Sequence, residues 1–228
     1  MKNNRNKSLS LIALSVIGLL VGGCATTRQP YDYSAFKEAR PTSILVLPPV
    51  NNSPDINATH SVMSLTTAPL AEAGYYVFPV TLVDETFKQN GLTTPADIHN
   101  LPAEKLQTIF GADAALYITV TKYGTSYAVL SSETRVTADA KLVDLRTQKT
   151  LWSGVATASS AEGNNNSGGG LLGMLITAAI KQIVETATDH GRVVAKTTSL
   201  RLLSAGMYNG ILYGPRSPYY VKEDKVGP

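Results

Sequence analysis

Cysteine occurs once in this sequence, at Cys24, tryptophan once, at Trp152, and histidine only three times. A single cysteine excludes a disulfide within the chain, so in an oxidising compartment the fold must be held by its core alone. His60, His99 and His190 are far apart, and none has a ligand neighbour at helical or Cys-x-x-Cys spacing, so no metal site is legible. The Gly-x-Ser-x-Gly elbow is missing, as is a phosphate-cradling Gly-Lys-Ser or Gly-Lys-Thr. His190 beside Asp189 does not replace them, since adjacent residues on a helix point in different directions. Asp84-Glu85 and Glu223-Asp224 read as ordinary solvated acids, and an enzymatic reading rests only on carboxylates that would have to meet in space. No cofactor is implied.

Charge of one sign is also scarce once its distribution is considered. The chain has 20 basic and 17 acidic residues, but Lys2, Arg5 and Lys7 fall in the first 23 positions, where no acid occurs. Without that segment the remaining 205 residues carry 17 of each sign, a formal net charge of zero. Neutrality excludes the electrostatic footprint of a nucleic-acid-binding domain, and no polybasic cluster is present to hold anionic lipid head groups. Long apolar runs are missing as well. Leu9 to Val21 and Leu171 to Ile180 are each well short of the ~20 residues that a spanning helix needs.

What is present begins at the N-terminus. The basic stretch, the apolar run from Leu9 to Val21 and the small residues Gly22-Gly23 before Cys24 have the order of a secretory signal. With cysteine directly after the small residues, this resembles a bacterial lipoprotein signal, which implies diacylglycerol on the Cys24 thiol and cleavage between Gly23 and Cys24. Retention at the inner membrane is often marked in that class by an aspartate after the cysteine. Ala25 stands there instead, which implies release to the outer membrane and a membrane contact made through the lipid.

Residues 24–43 read as a tether, polar and broken by Pro30 and Pro41, although Tyr31, Tyr33 and Phe36 could fold back on the domain. Residues 44–205 read as one α/β domain, a mixed sheet with a parallel βαβ start, a long antiparallel hairpin and covering helices. Ile44-Leu45-Val46-Leu47, closed by Pro48-Pro49, suits a strand buried on both faces. Asn57 to Ala73 is helical, with Pro69 expected to kink or split it, and Tyr75 to Val80 reads as a second strand. Thr81, Thr94-Pro95 and Pro102 open helices, Asn90-Gly91 and Gly111 close them, and Ala114 to Thr121 is the third strand. From Ser126 to Leu145 apolar and polar residues alternate as in a half-buried strand, and after a polar turn Thr150 to Ser159 returns. Gly163 to Gly170 reads as a flexible loop, and Leu171 to Ile180 as a helix covering the sheet, with a mobile flap that inserts into a membrane or a partner groove as the alternative.

Residues 206–228 form a Tyr-, Gly- and Pro-rich tail expected to pack on the domain. Tyrosine and arginine are favoured at recognition surfaces, and the candidate partner-binding residues are Tyr213, Arg216, Tyr219, Tyr220 and Trp152, although Trp152 reads first as a core anchor.

Ile44 to Val50, Pro69-Leu70-Ala71-Glu72-Ala73-Gly74-Tyr75-Tyr76-Val77-Phe78-Pro79-Val80, Phe110-Gly111-Ala112-Asp113, Leu142-Val143-Asp144 with Leu151-Trp152-Ser153, and Tyr213-Gly214-Pro215-Arg216 carry a resemblance. They are similar to an uncharacterised periplasmic lipoprotein family known from a genome-derived vaccine antigen, often encoded beside a curli-secretion-channel-like lipoprotein. The resemblance implies a periplasm-facing α/β domain like the N-terminal domain of the Tol–Pal translocation protein B and the lipoprotein activators of penicillin-binding proteins. Fold likeness does not fix function. Two readings are open. One is a non-enzymatic adaptor at the outer membrane that docks an envelope protein or other lipoproteins. The alternative is a structural subunit of a lipoprotein assembly or secretion pore, for which a homo-oligomer is expected. Under either, palmitate labelling should follow Cys24, and Cys24→Ser should accumulate as an unlabelled, unprocessed precursor on a gel of labelled cells.

Overall fold

In the computed structural model, which describes residues 29–128, 131–162 and 189–220, the run Ile44-Leu45-Val46-Leu47 is completely buried. Cys24, Gly163–Gly170, Leu171–Ile180 and the last eight residues of the tail lie outside the described residues. The unit that begins at Asp32 carries all the described strands and helices.

Burial of four consecutive residues requires cover on both faces of a strand. Strand β1 (Ser43–Val46) accordingly lies inside the sheet, parallel to β3 (Tyr76–Val77) on one edge and to β4 (Ala114–Ala128) on the other. The short β2 (Val50–Asn51) continues the parallel pairing along β4 at Thr119 and Val120. On its far edge β4 pairs antiparallel with β5 (Ser131–Asp144), and β5 with β6 (Thr150–Ser159), so the strand order is β3-β1-β4-β5-β6. This is the expected mixed sheet with a parallel start and a long hairpin.

Helices follow the punctuation of the sequence. They are α1 (Ser34–Ala39), α2 (Ala58–Glu72), α3 (Val80–Gln89), α4 (Pro95–His99), α5 (Ala103–Phe110) and α6 (His190–Leu203). Thr94 caps α4 by accepting from Asp97 N, with Pro95 in the first turn, and Gly111 ends α5 in the left-handed conformation. Asp189 caps α6 by accepting from Arg192 N at 3.0 Å. α6 packs on α2 and on β4, β5 and β6. Its buried Val194, Ala195, Leu202 and Leu203 face the inward residues of β5, Val136, Ala138, Ala140 and Leu142, while Arg135 and Lys141 between them are exposed. Each large aliphatic side chain enclosed this way contributes about 1.5–3 kcal/mol relative to exposure.

Two carboxylates lock strand ends. Asp113 Oδ2 accepts from the backbone N–H and hydroxyl of both Thr42 and Ser43 at 2.7–3.1 Å, which fixes the start of β1 against the start of β4. Burial pushes this carboxyl up, but the four donors outweigh it and hold Asp113 below the usual carboxylate value. Asp144 is fully buried at the β5–β6 turn. Its Oδ1 accepts from Arg146 N, Thr147 N and Thr147 Oγ1, and the Arg146 guanidinium lies 3.6 Å from Oδ2.

Four expectations are corrected. The stretch read as a tether to residue 43 contains α1, because Phe36 is buried and holds that turn on the domain. The second strand is two residues rather than six, since Pro79 cannot donate to a ladder and instead precedes α3. The alternation that starts at Ser126 spans two strands. β4 runs on to Ala128 and β5 begins at Ser131, with Ala128 paired to Ser131. Val129 and Leu130, which lie outside the described residues, are not residue types that mark a turn, so the sequence does not separate the two strands. Finally, Pro69 does not split α2. It sits in the last turn, where only Leu70 to Glu72 follow, so one lost hydrogen bond costs little.

β4 and β5 outrun their neighbours. Pairing extends to Ala128↔Ser131, whereas β6 ends at Ser159 opposite Arg135 and β2 ends opposite Val120. The far end of the hairpin therefore projects, with Tyr127 82% exposed.

α4 carries His99 against the sheet. Its Nε2 lies 3.0 Å from Pro48 O and must donate there, and its ring meets Tyr117 edge-on at 5.2 Å. Burial lowers its pKa, the Pro48 bond opposes this, and Lys141 lowers it further, for a net shift below 6.5. The unfolded chain therefore takes up a proton at His99 before the folded chain does. Stability from this residue is complete above about pH 6.5 and falls as the pH drops below it. His99→Gln should show a smaller decrease in melting temperature than the wild type between about pH 7.5 and about pH 5.5.

Candidate functional site

The segment after α6 returns across the molecule to α1 and β3, and a close backbone approach seats it there. Gly214 N donates to Ala73 O at 2.8 Å and Arg216 N to Gly74 O at 3.1 Å. Gly74 has φ +98°, and a Cβ on it would lie 2.4 Å from Ser217 N; a Cβ on Gly214 would lie 2.7 Å from Gly74 O. Both glycines are required by this contact, one by conformation as well as space. Phenol groups complete the attachment, Tyr33 Oη donating to Gly210 O and Tyr75 Oη to Leu212 O, each at 2.6 Å.

Held this way, the tail forms one wall of a crevice whose other wall is the C-terminal end of α1. Phe36, Lys37, Arg40 and Pro41 face Tyr75, Leu212, Tyr213 and Tyr220 across it. The enclosed volume is about 20 Å³, room for about one water and too little for a cofactor. Tyr213 and Tyr219 stack with centroids 5.2 Å apart and planes at 41°. Next to them Arg216 places its guanidinium 5.9 Å from the Tyr76 ring and donates from Nη1 to Thr42 O at 3.3 Å. Tyr76 begins an aromatic series that continues inward through Phe78 and Phe110 to the buried Phe87, so the exposed ring is backed by core. Tyr219 and Tyr76 remain 50% and 47% exposed.

Four of the five candidate residues, Tyr213, Arg216, Tyr219 and Tyr220, are thus brought together. Trp152 is not, and its candidacy for partner contact is withdrawn. It is 1% exposed, its indole N–H donates to Asn209 O at 2.9 Å, and a Cβ on Gly154 would lie 2.4 Å from its ring. It anchors the base of the tail from beneath, which is the structural use of a buried indole. Lys37, Arg40, Tyr75 and Tyr76 were not singled out as site residues in the sequence. Lys37 and Arg40 follow Phe36 within one helical turn, and a lone buried aromatic in a polar stretch is the signal that could have located them.

Chemistry is sparse around this surface. Among the described residues no three His, Cys, Asp or Glu side chains converge to hold a metal ion, and no helix is long and apolar enough to cross a membrane. The crevice offers aromatic faces, hydroxyls and cations, groups that bind and do not by themselves react. In Gly74→Ala the tail should detach. Unfolding in denaturant should show a loss of about 2 kcal/mol or more, and trypsin should cut after Arg216 faster than in the wild type.

Comparison with known proteins gives consistent matches. Residues 31–216 match the family described as "Putative lipoprotein GNA1162-like". The chain is 57% identical over 199 residues to "Putative lipoprotein NMB1124/NMB1162" of Neisseria meningitidis serogroup B, spanning 87% of this chain and 92% of that one. It overlays the crystal structure of lipoprotein GNA1162 from Neisseria meningitidis with a TM-score of 0.53 and 60% identity, over 64% of this chain and 100% of that one. A looser overlay, with a TM-score of 0.36 and 20% identity over 56% of this chain and 98% of the other, is found with the LpoB C-terminal domain from Salmonella enterica.

Proposed function

The chain belongs to the GNA1162-like lipoprotein family, and on that premise we propose that it is a non-enzymatic adaptor, anchored at the outer membrane and facing the periplasm, for a cell-envelope protein complex. The lipid on Cys24 supplies the anchor. The crevice between α1 and the tail supplies the docking surface, with Tyr213, Arg216, Tyr219 and Tyr220 as contacts. What supports this reading is the exposure of Tyr219, Tyr76 and Arg216 on a rigid backing. Aromatic rings and guanidinium groups held in place dominate protein recognition, because they bring large contact area with little conformational entropy to lose.

The test is to cross-link whole cells, solubilise the envelope in mild detergent and identify what co-purifies with the tagged lipoprotein by mass spectrometry. The expected result is a periplasmic or envelope protein whose recovery falls in Tyr219→Ala with Arg216→Ala, both exposed positions whose loss leaves the melting temperature within a few degrees. Recovery mainly of the chain itself and other lipoproteins, at high native mass, would replace the adaptor by the assembly reading, in which the projecting β4–β5 hairpin is the natural contact.

A further inference from the structure

Among the described residues three cations stand around the crevice. Lys37 and Arg40 lie on one wall and Arg216 stands beside the other, and all three residues are exposed. The acids nearby keep their charge, since hydrogen bonds from neutral donors hold a carboxylate ionised, and of the three only Glu38 is in an ion pair among the described residues. Glu38 pairs with Lys149 at 3.0 Å, Asp32 accepts from Ser34 N and Oγ, and Asp113 accepts its four hydrogen bonds from Thr42 and Ser43. Lys37 has no ion pair among the described residues, and Arg216 donates from Nη1 to Thr42 O. Between these cations the lining is apolar and aromatic: Phe36, Tyr75, Leu212, Tyr213 and Tyr220.

An apolar occupant would desolvate the cations without compensation, and a basic one would be repelled. Carboxylates answer both groups, as a two-point acceptor for the guanidinium and a counter-charge for the ammonium. The enclosed volume of about 20 Å³ cannot admit a whole side chain, so the occupant must lie across the opening.

We propose that the crevice takes an acidic segment of a protein partner, its carboxylates meeting Lys37 and Arg216 and its apolar side chains lying on Tyr213 and Tyr220. The inference rests on the docking reading and narrows it to the chemistry of the partner.

The test places a photo-crosslinking p-benzoylphenylalanine at Tyr219 of the full-length lipoprotein in cells, with a second at the hairpin residue Tyr127, and maps the acceptor peptide by mass spectrometry. The expected acceptor of Tyr219 is a partner stretch rich in Asp and Glu. Yield should fall roughly tenfold in Lys37→Glu with Arg216→Glu, fall less with glutamine at both positions, and persist in Lys37→Arg. Screening by added salt should lower it in the wild type. An acceptor stretch that is neutral or basic, an acceptor in a second copy or in residues 221–228 of the same chain, or a yield indifferent to charge reversal overturns the inference while leaving a crevice contact in place. Cross-links from Tyr127 with none from Tyr219 overturn the docking reading itself, and none from either position overturns both.

Discussion

β4 bonds to strands on both of its edges, and the rest of the architecture takes its position from that. Along one edge it receives β1 and then β2 in parallel, and along the other the whole of β5 antiparallel. Parallel neighbours require long crossovers, which place helices over the sheet, whereas an antiparallel neighbour requires only a turn. The strand therefore changes character along its length. Ala114, Ala115 and Leu116 are buried in succession, where both faces are covered; from Tyr117 to Val120 burial alternates, with Ile118 and Val120 enclosed, until the register shift between Val120 and Lys122. Where the parallel partners end, the strand continues with β5 alone, and the hairpin leaves the body of the sheet.

The binding surface depends on a different constraint, the exclusion of side-chain atoms between two segments of backbone. Gly74 ends the α2 region and Gly214 lies in the tail, 140 residues later, and their main chains are close enough that neither can carry a Cβ. That contact joins α1, the β3 edge and the tail into one surface. Trp152 supports the same attachment from the core side through Asn209. The tyrosines that remain exposed are therefore mounted on a fixed frame, so they can engage a partner without first being ordered.

A chain with 20 basic and 17 acidic residues can still cluster exposed cations in one place. Asp113 and Asp144 are spent on strand ends, Glu38 on Lys149, and Glu162 on the two-pronged pair with Arg201 that ties β6 to α6. The potential at the crevice is set by where the charges lie, since a carboxylate bonded to backbone amides keeps its charge and an ion pair offsets it.

Periodicity and punctuation determined much of this protein without reference to its tertiary structure. The continuous apolar run of β1, the alternation of β5, the Thr94-Pro95 start and Gly111 stop, and the address written around Cys24 are local patterns, legible because a strand, a cap or a processing signal is recognised over a few residues. The change from β4 to β5 between Ala128 and Ser131 was not legible, because neither Val129 nor Leu130 is a residue type that marks a turn. The helical Phe36 turn was hidden for the opposite reason, since one buried aromatic in a polar stretch has no period at all. Trp152 could be read as surface or core, and only its hydrogen bond to Asn209 and its enclosure decided between them. The sequence named four tail residues that the fold then gathered, but it could not supply Lys37 and Arg40 beside them. Contacts between positions some 175 residues apart depend on how the chain returns across the sheet, and that path is decided by packing rather than by any local preference.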